Sequence, residues 1–154
     1  MPMRKWRPQD LDASIETFRR AVHEIAAADY SPEELQAWAP EEADYSEWER
    51  RMDVSQGWTF EINGKLGGFI TTDAPGHIDL LYVHLDYQRM GVATALLELL
   101  VADAGSRGIT DLHTEASRTA RPFFEQAGFS VVRAQTVTRN GVALERFVME
   151  RKPH

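Results

Sequence analysis

Apolar residues at Leu11, Ile15, Phe18, Val22 and Ile25 recur at steps of three and four, which places them on one stripe of an α-helix. Asp10 stands just before the first of them as an available N-cap, so the spacing predicts a helix of about four to five turns. Ser31-Pro32-Glu33-Glu34 puts a cap, a proline at the first helical position and acids in the first turn ahead of Leu35 and Trp38, and Ala39-Pro40 ends that helix. A further short helix is predicted over 44–52. The period then changes to two: Trp58 to Ile62 alternates as a strand and runs into Asn63-Gly64, the strongest short hairpin signal. A second strand, 65–72, follows, in which Gly67-Gly68 suggests a bulge or a close backbone approach.

A strand over 77–85, a helix over 91–104 that is apolar on most of its surface, and a strand over 110–116 come next. Strand, helix and strand joined by short connections make a parallel crossover. A short helix over 119–127 ends at Gly128, and strands 129–139 and 142–151 flank Asn140-Gly141 as a second hairpin. The expected fold class is α/β (α+β): a mixed, mostly antiparallel sheet with one central parallel β-α-β pair, and helices on both faces. With 154 residues, no internal repeat and no linker, a single domain is expected. Its parts are a helical segment over 1–57, a core over 58–135 and a C-terminal hairpin strand over 136–154.

Composition narrows the function. There is no cysteine, which removes disulfides, thiolate metal sites and cysteine nucleophiles, and the cytoplasm is the expected compartment. The longest apolar stretch, 95–104, is interrupted by Glu98 and Asp103 and falls short of the roughly 20 residues a membrane span needs. The first ten residues lack the apolar middle of a signal peptide. A net charge of -7 opposes nucleic-acid binding, whose affinity comes largely from neutralising phosphates. The excess is local: residues 29–53 hold nine acids against Arg50 and Arg51, either a field that attracts a cationic ligand or simply solvated helix faces. No histidine pair has metal-ligand spacing, so no metal is expected.

Gln88-Arg89-Met90-Gly91-Val92-Ala93 lies between a strand and the helix opened by Gly91. Backbone N–H groups at such a helix start suit an anion, and Gly91 leaves room for one to approach. An ordinary strand-to-helix turn containing glycine would look similar. The pattern Gln88-x-x-Gly91-x-Ala93 nevertheless resembles the Q/R-x-x-G-x-G/A motif of the GNAT N-acetyltransferase superfamily. Leu81-Tyr82-Val83-His84-Leu85-Asp86-Tyr87 looks like that family's lead-in, and Phe123-Phe124-Glu125-Gln126-Ala127-Gly128-Phe129 is similar to its later Y-x-x-x-G-F block. The resemblance covers roughly 58–135 in order and spacing.

It implies acetyl-CoA as acetyl donor, with the pyrophosphate on the amides of Arg89, Met90, Gly91, Val92, Ala93 and Thr94, and with Gln88 and Phe123 part of the same site. The pantetheine would pair with backbone of Leu81 to Val83, where the central strands splay. The implied reaction is direct acetyl transfer to the amino group of a small amine or a peptide. An alkylammonium of pKa about 10.4 must first lose a proton, costing about 4.6 kcal/mol at pH 7, whereas a departing thiolate of pKa about 8.5 lies only about 2 kcal/mol from its neutral form. A base therefore matters more than an acid.

Phe124 stands where many family members carry a tyrosine acid, which leaves Tyr82 or solvent to protonate the thiolate. The family's common asparagine after the second central strand is replaced by Ser117-Arg118-Thr119. Glu115 is the first candidate base, against the plainer reading of a strand-end glutamate facing solvent. His84 and His113 are further candidates, Tyr82 and His84 being expected on one face of their strand, and His113 and Glu115 on one face of theirs. His23, Tyr30 and Trp38 are candidates for the acceptor pocket, which in this family the first helices shape. Trp38, Trp48 and Trp58 would serve either as aromatic walls or as core anchors. The missing tyrosine supports, as an alternative, a non-catalytic acyl-CoA-binding regulator, and an interaction module with a vestigial cleft is a third reading. Oligomeric state stays open, a homodimer included.

Overall fold

The period-two segments assemble into one seven-stranded sheet in a computed structural model that describes residues 1–153. The strands are β1 (Met3–Lys5), β2 (Gln56–Ile62), β3 (Lys65–Ala74), β4 (His77–Val83), β5 (Leu112–Ala116), β6 (Ser130–Arg139) and β7 (Val142–Arg151), in spatial order β1-β2-β3-β4-β5-β7-β6. Every pairing is antiparallel except β4 with β5. The helices are α1 (Leu11–Glu24), α2 (Pro32–Trp38), α3 (Tyr45–Asp53), α4 (Val92–Ser106) and α5 (Arg121–Gln126). Among the described residues no helix is long and apolar enough to cross a membrane.

Both hairpins turn at the expected Asn-Gly pairs, and Asn63, Gly64, Asn140 and Gly141 all have positive φ, as the favoured two-residue hairpin loop requires. Gly67 is the bulged residue expected from the glycine pair: Phe60 faces Gly68, Glu61 faces Leu66, and Gly67 is left over. A Cβ on Gly67 would lie 2.7 Å from the Phe60 ring and 2.9 Å from that of Tyr87. Ser31 caps α2 with a reciprocal box, its hydroxyl accepting the Glu34 N–H at 3.1 Å while Glu34 accepts the Ser31 N–H at 2.9 Å.

Several expectations need correction. Asp10 does not cap α1 through its side chain. Its carboxylate instead accepts from the Arg7 N–H and the Arg4 guanidinium at 2.7–2.9 Å, which anchors β1, a strand the pattern did not reveal. The strand expected to reach Leu85 stops at Val83, because residues 85–87 form a 3-10 turn that the His84 side chain caps. Gly91 precedes α4 rather than lying in it, and α5 is shorter than the predicted 119–127.

The sheet carries a core on each face. On one, Val92, Leu96, Leu97 and Leu100 of α4 pack with Trp58, Phe60, Ile70, Ile78, Phe124 and Met149. On the other, Phe18, Val22, Tyr30 and Leu35 form one cluster, and Met52, Phe69 and Leu80 another. At roughly 1.5–3 kcal/mol for each fully buried aliphatic side chain, these clusters dominate the favourable side of folding.

Candidate active site

The parallel pair β4–β5 is short. Only His77 with His113 and Ile78 with Thr114 are paired, and from Asp79 onward the β4 edge facing β5 has no strand partner. Register slips help to open it. Thr71 faces Leu80 and Thr72 faces Ile78, so Asp79 is an extra residue on β4; Thr72 faces Ile78 and Ala74 faces His77, so Asp73 is an extra residue on β3. Such bulges end pairing and re-aim side chains.

Beyond that opening lies the turn into α4. Gln88 Nε2 donates to the Val83 carbonyl at 2.8 Å, tying the turn to the strand end. Arg89 and Gly91 have φ of 62° and 80°. No side chain caps α4, and Ala95 to Gly91, at 3.0 Å, is its first closing backbone bond. The amides of Val92, Ala93 and Thr94 are therefore free donors at the positive end of a 15-residue helix. Nothing lies within 4 Å of where a Gly91 Cβ would be, and residues 88–91 are exposed. An open strand edge ending at uncapped amides fits a donor with an amide-bearing arm and a pyrophosphate. Phe123 sits on α5 with its ring 5.2 Å from that of Phe124 and lines a groove between α4 and α5.

On the opposite face a cleft of about 1110 Å³ runs from the splay to the acidic segment. Tyr82, Ala116, Ser117 and Phe124 line its inner end, and Trp38, Trp48 and Phe18 its walls. Eight carboxylates line it, Glu33, Glu42, Asp44, Glu47, Asp73, Asp79, Glu115 and Glu145, against Arg19, Arg51, Arg139 and Arg146. The acidic run at 29–53 thus supplies part of a concave surface. Trp38 and Trp48 reach the cleft, whereas Trp58 is buried in the α4-side core.

Glu115 is half-buried at the splay, with both carboxylate oxygens accepting from His77 Nε2 at 2.9 and 3.1 Å. That bond holds its pKa below the usual carboxylate value, although burial opposes it. His77 also donates through Nδ1 to Asp73 at 2.6 Å. Bonding to Glu115 raises its pKa to about 9, against the opposing effect of burial and with Asp73 adding to the rise. Arg51 grips Asp79 with two bonds of 2.7 and 2.8 Å.

Potential ligand atoms of Asp73, His77 and Asp79 lie within 4.8 Å of one another. Strand pairing rather than sequence spacing makes that grouping. With both His77 nitrogens donating and Asp79 held by Arg51, it is built as an ion-pair cluster. His154 lies outside the described residues.

Tyr82 lies beneath the aromatic walls, its ring 5.0 Å from that of Phe18 in an edge contact. Burial raises its pKa far above the ordinary phenol value, with Arg51 and the Trp38 side chain only partly opposing. Tyr30 lines the cleft, but its hydroxyl is fully engaged: it donates to the Glu145 carbonyl at 3.0 Å and accepts the Arg118 N–H at 2.9 Å.

His84 and His23 are not among the cleft-lining residues. His84 accepts the Asp86 N–H at 3.1 Å and lies 3.1 Å from Arg20, beyond the end of its strand rather than beside Tyr82 on one strand face. His23 bonds the Ala39 carbonyl at 2.6 Å, joining α1 to the end of α2. His113 stacks on His77, ring centroids 4.8 Å apart. Where the resemblance implies an asparagine, Arg118 bonds Glu145 and the Asp29 carbonyl, and Thr119 donates to Asp29 at 2.7 Å, so these side chains brace the α1–α2 connection.

A mixed sheet splayed at one parallel pair, with uncapped helix amides beside the splay, defines an acyl-CoA-type transferase architecture. A family model, the acetyltransferase (GNAT) domain, matches residues 26–151, and the chain belongs to that family. It is 38% identical over 151 residues, 98% of this chain and 95% of the other, to the uncharacterized N-acetyltransferase YafP of Escherichia coli (strain K12). A GCN5-related N-acetyltransferase (Aminotransferase, Class-II) from Rhodopseudomonas palustris has a similar crystal structure, at 32% identity and TM-score 0.94, covering 99% of this chain and 95% of that one. The PaiA N-acetyltransferase from Thermoplasma acidophilum, crystallised with coenzyme A, shares the fold at 21% identity and TM-score 0.75, covering 99% and 100% of the two chains. The chain is an acyltransferase, an N-acetyltransferase by family, and acetyl-CoA is the donor that membership implies.

Proposed function

We propose that the protein transfers acetyl from acetyl-CoA to a primary amine that enters the acidic cleft as its ammonium ion. The observation that carries this reading is the unpaired β4 edge, which lies between the uncapped α4 amides and a cleft lined by twice as many carboxylates as arginines. The donor supplies an activated thioester. Backbone of Leu81 to Val83 orients its arm, Gln88 fixes the turn, and the amides of Val92 to Thr94 take the pyrophosphate.

On the acceptor side the carboxylates raise the local concentration of a cation, and Trp38 and Trp48 hold its apolar body. Glu115, at the splay, takes the ammonium proton directly or through one water. The leaving thiolate needs little help. Tyr82 is too weak an acid to protonate a thiolate downhill, and Phe124, at 4% exposure inside the core, has no proton to give. Tyr82 therefore orients by hydrogen bonding while solvent protonates the thiolate. The reading places the enzyme in the cytoplasm.

The test is release of free CoA thiol from acetyl-CoA in the presence of a panel of alkylamines, diamines and amino-terminal peptides, with mass analysis of the acceptor. The expected result is amine-dependent thiol release with one acetyl gained per acceptor. Binding of acetyl-CoA without transfer to any amine would instead indicate a regulator.

A further inference from the structure

Two bulged aspartates and one histidine meet where β4 and β5 last pair, and that arrangement has a use in the transfer reaction. His77 opens β4 after the two-residue Pro75-Gly76 loop. Gly76 has φ of 79°, its carbonyl accepts the His113 N–H at 2.9 Å, and a Cβ there would lie 2.4 Å from the Asp111 carbonyl oxygen. The loop is therefore pressed against the start of β5, and its conformation fixes where His77 stands.

Glu115 is the first side chain past the last β4–β5 pair on the face that His77 shares with His113. The His77 side chain, 14% exposed, reaches along that face to Glu115 on one side and to Asp73 on the other. The charged groups packed around it are Asp73 from β3, Asp79 from β4 with Arg51 from α3, His113 and Glu115 from β5, and Arg146 from β7.

We propose, building on the N-acetyltransferase reading, that His77 is the proton store of the site: the ammonium proton passes to Glu115 and on to His77 Nε2. In this step the acceptor's N–H bond breaks and its electron pair stays on nitrogen. Glu115 forms and then loses an O–H bond, and an N–H bond forms on His77 Nε2, so that the ring enters the step as neutral imidazole and leaves it as imidazolium between Glu115 and Asp73. The next turnover begins when that proton leaves to solvent.

Chemical matching supports the assignment. A carboxylate, with an ordinary pKa of about 4, is a poor final acceptor for the proton of an alkylammonium, whereas a histidine raised to about 9 lies close to an ammonium of about 10.4. Glu115 contributes most to the basicity of the histidine, and Asp73 adds a second carboxylate that favours the protonated ring. His77 works through Glu115, so it is a positioning and relay residue rather than one that touches substrate.

The experiment is the pH dependence of kcat for the wild type, His77→Gln and Asp73→Asn, with the best amine of the panel, together with NMR titration of the His77 ring. In the wild type, kcat should rise tenfold per pH unit and level off at the NMR-measured His77 pKa, near 9. Asp73→Asn should lower both the break and the ring pKa by about one unit or more. His77→Gln, whose amide can still donate to Glu115, should lower the plateau roughly 100-fold, remove the break and leave KM for acetyl-CoA within about twofold. A His77→Gln enzyme with the wild-type profile overturns the proposal, as does a wild-type break that does not follow the ring pKa or stays put in Asp73→Asn. Should His77→Gln fail to fold, the wild-type and Asp73→Asn comparison decides alone. A wild type that acetylates no amine overturns the underlying reading, whereas turnover without the shared break overturns only the relay.

Discussion

His77 links the site to the stability of the fold, and the sign of the effect is fixed. Its folded pKa, about 9, lies above the ordinary 6.5 because Glu115 and Asp73 stabilise the imidazolium. A raised pKa means that the folded state holds the proton more tightly than the unfolded one. The contribution is complete below pH 6.5 and is lost as pH climbs through 9. The difference of about 2.5 units corresponds to about 3 kcal/mol. The lowered pKa of Glu115 reports much of the same bond from its other partner and is not a second contribution at neutral pH. It shows as stability lost when acid protonates the carboxylate.

The perturbation is His77→Gln, followed by urea unfolding at about pH 6 and about pH 9.5. The variant should be less stable than the wild type by about 3 kcal/mol at the lower pH and nearly equal to it at the higher. In thermal melts the gap should close at roughly 2–4 °C per kcal/mol. Wild-type and variant stabilities that run parallel across this window would refute the ion-pair argument.

Two further substitutions separate the donor site from the scaffold. Gly91→Asp places a carboxylate where the α4 amides await a phosphate, at a positive-φ position that aspartate adopts better than most residues; thermal stability without ligand should change by about 1–2 kcal/mol, while the stabilisation given by saturating acetyl-CoA should vanish in calorimetry. Tyr30→Phe removes the hydroxyl that joins Glu145 of β7 to the Arg118 amide; chemical denaturation should show a loss of about 1–3 kcal/mol, with KM for the amine rising more than KM for acetyl-CoA.

Much of the architecture can be read from periodicity and turn residues. The Asn63-Gly64 and Asn140-Gly141 hairpins, the Gly67 bulge and the crossover around α4 each rest on local rules that tertiary packing did not override. β1 could not be read that way. Met3, Arg4 and Lys5 show no strand signature, and the segment is held by pairing with β2 and by Arg4 bridging Asp10 and Glu61.

The uncapped helix start was legible because the segment from Gln88 to Thr94 is contiguous. Of the cluster formed by Asp73, His77 and Glu115 only Glu115 is singled out from sequence, since the three come from three strands and meet through register slips that no short window encodes. Asp-x-x-x-His followed by an acid on a later strand is the one signal that could have pointed there. His84 and His23 look equally plausible as sequence, yet the first caps a turn and the second closes a helix end. The acidic run at 29–53 is half surface and half cleft wall, a division decided by how α2 and α3 pack.

The most direct test of the central claim is a crystal structure of the protein with acetyl-CoA. The account predicts pyrophosphate oxygens on the amides of Val92, Ala93 and Thr94, the pantetheine arm on the open β4 edge at Leu81 to Val83, and the thioester facing the cleft beside Glu115. An acetyl-CoA bound with its thioester remote from Glu115, or on a surface other than the β4–β5 splay, would contradict it.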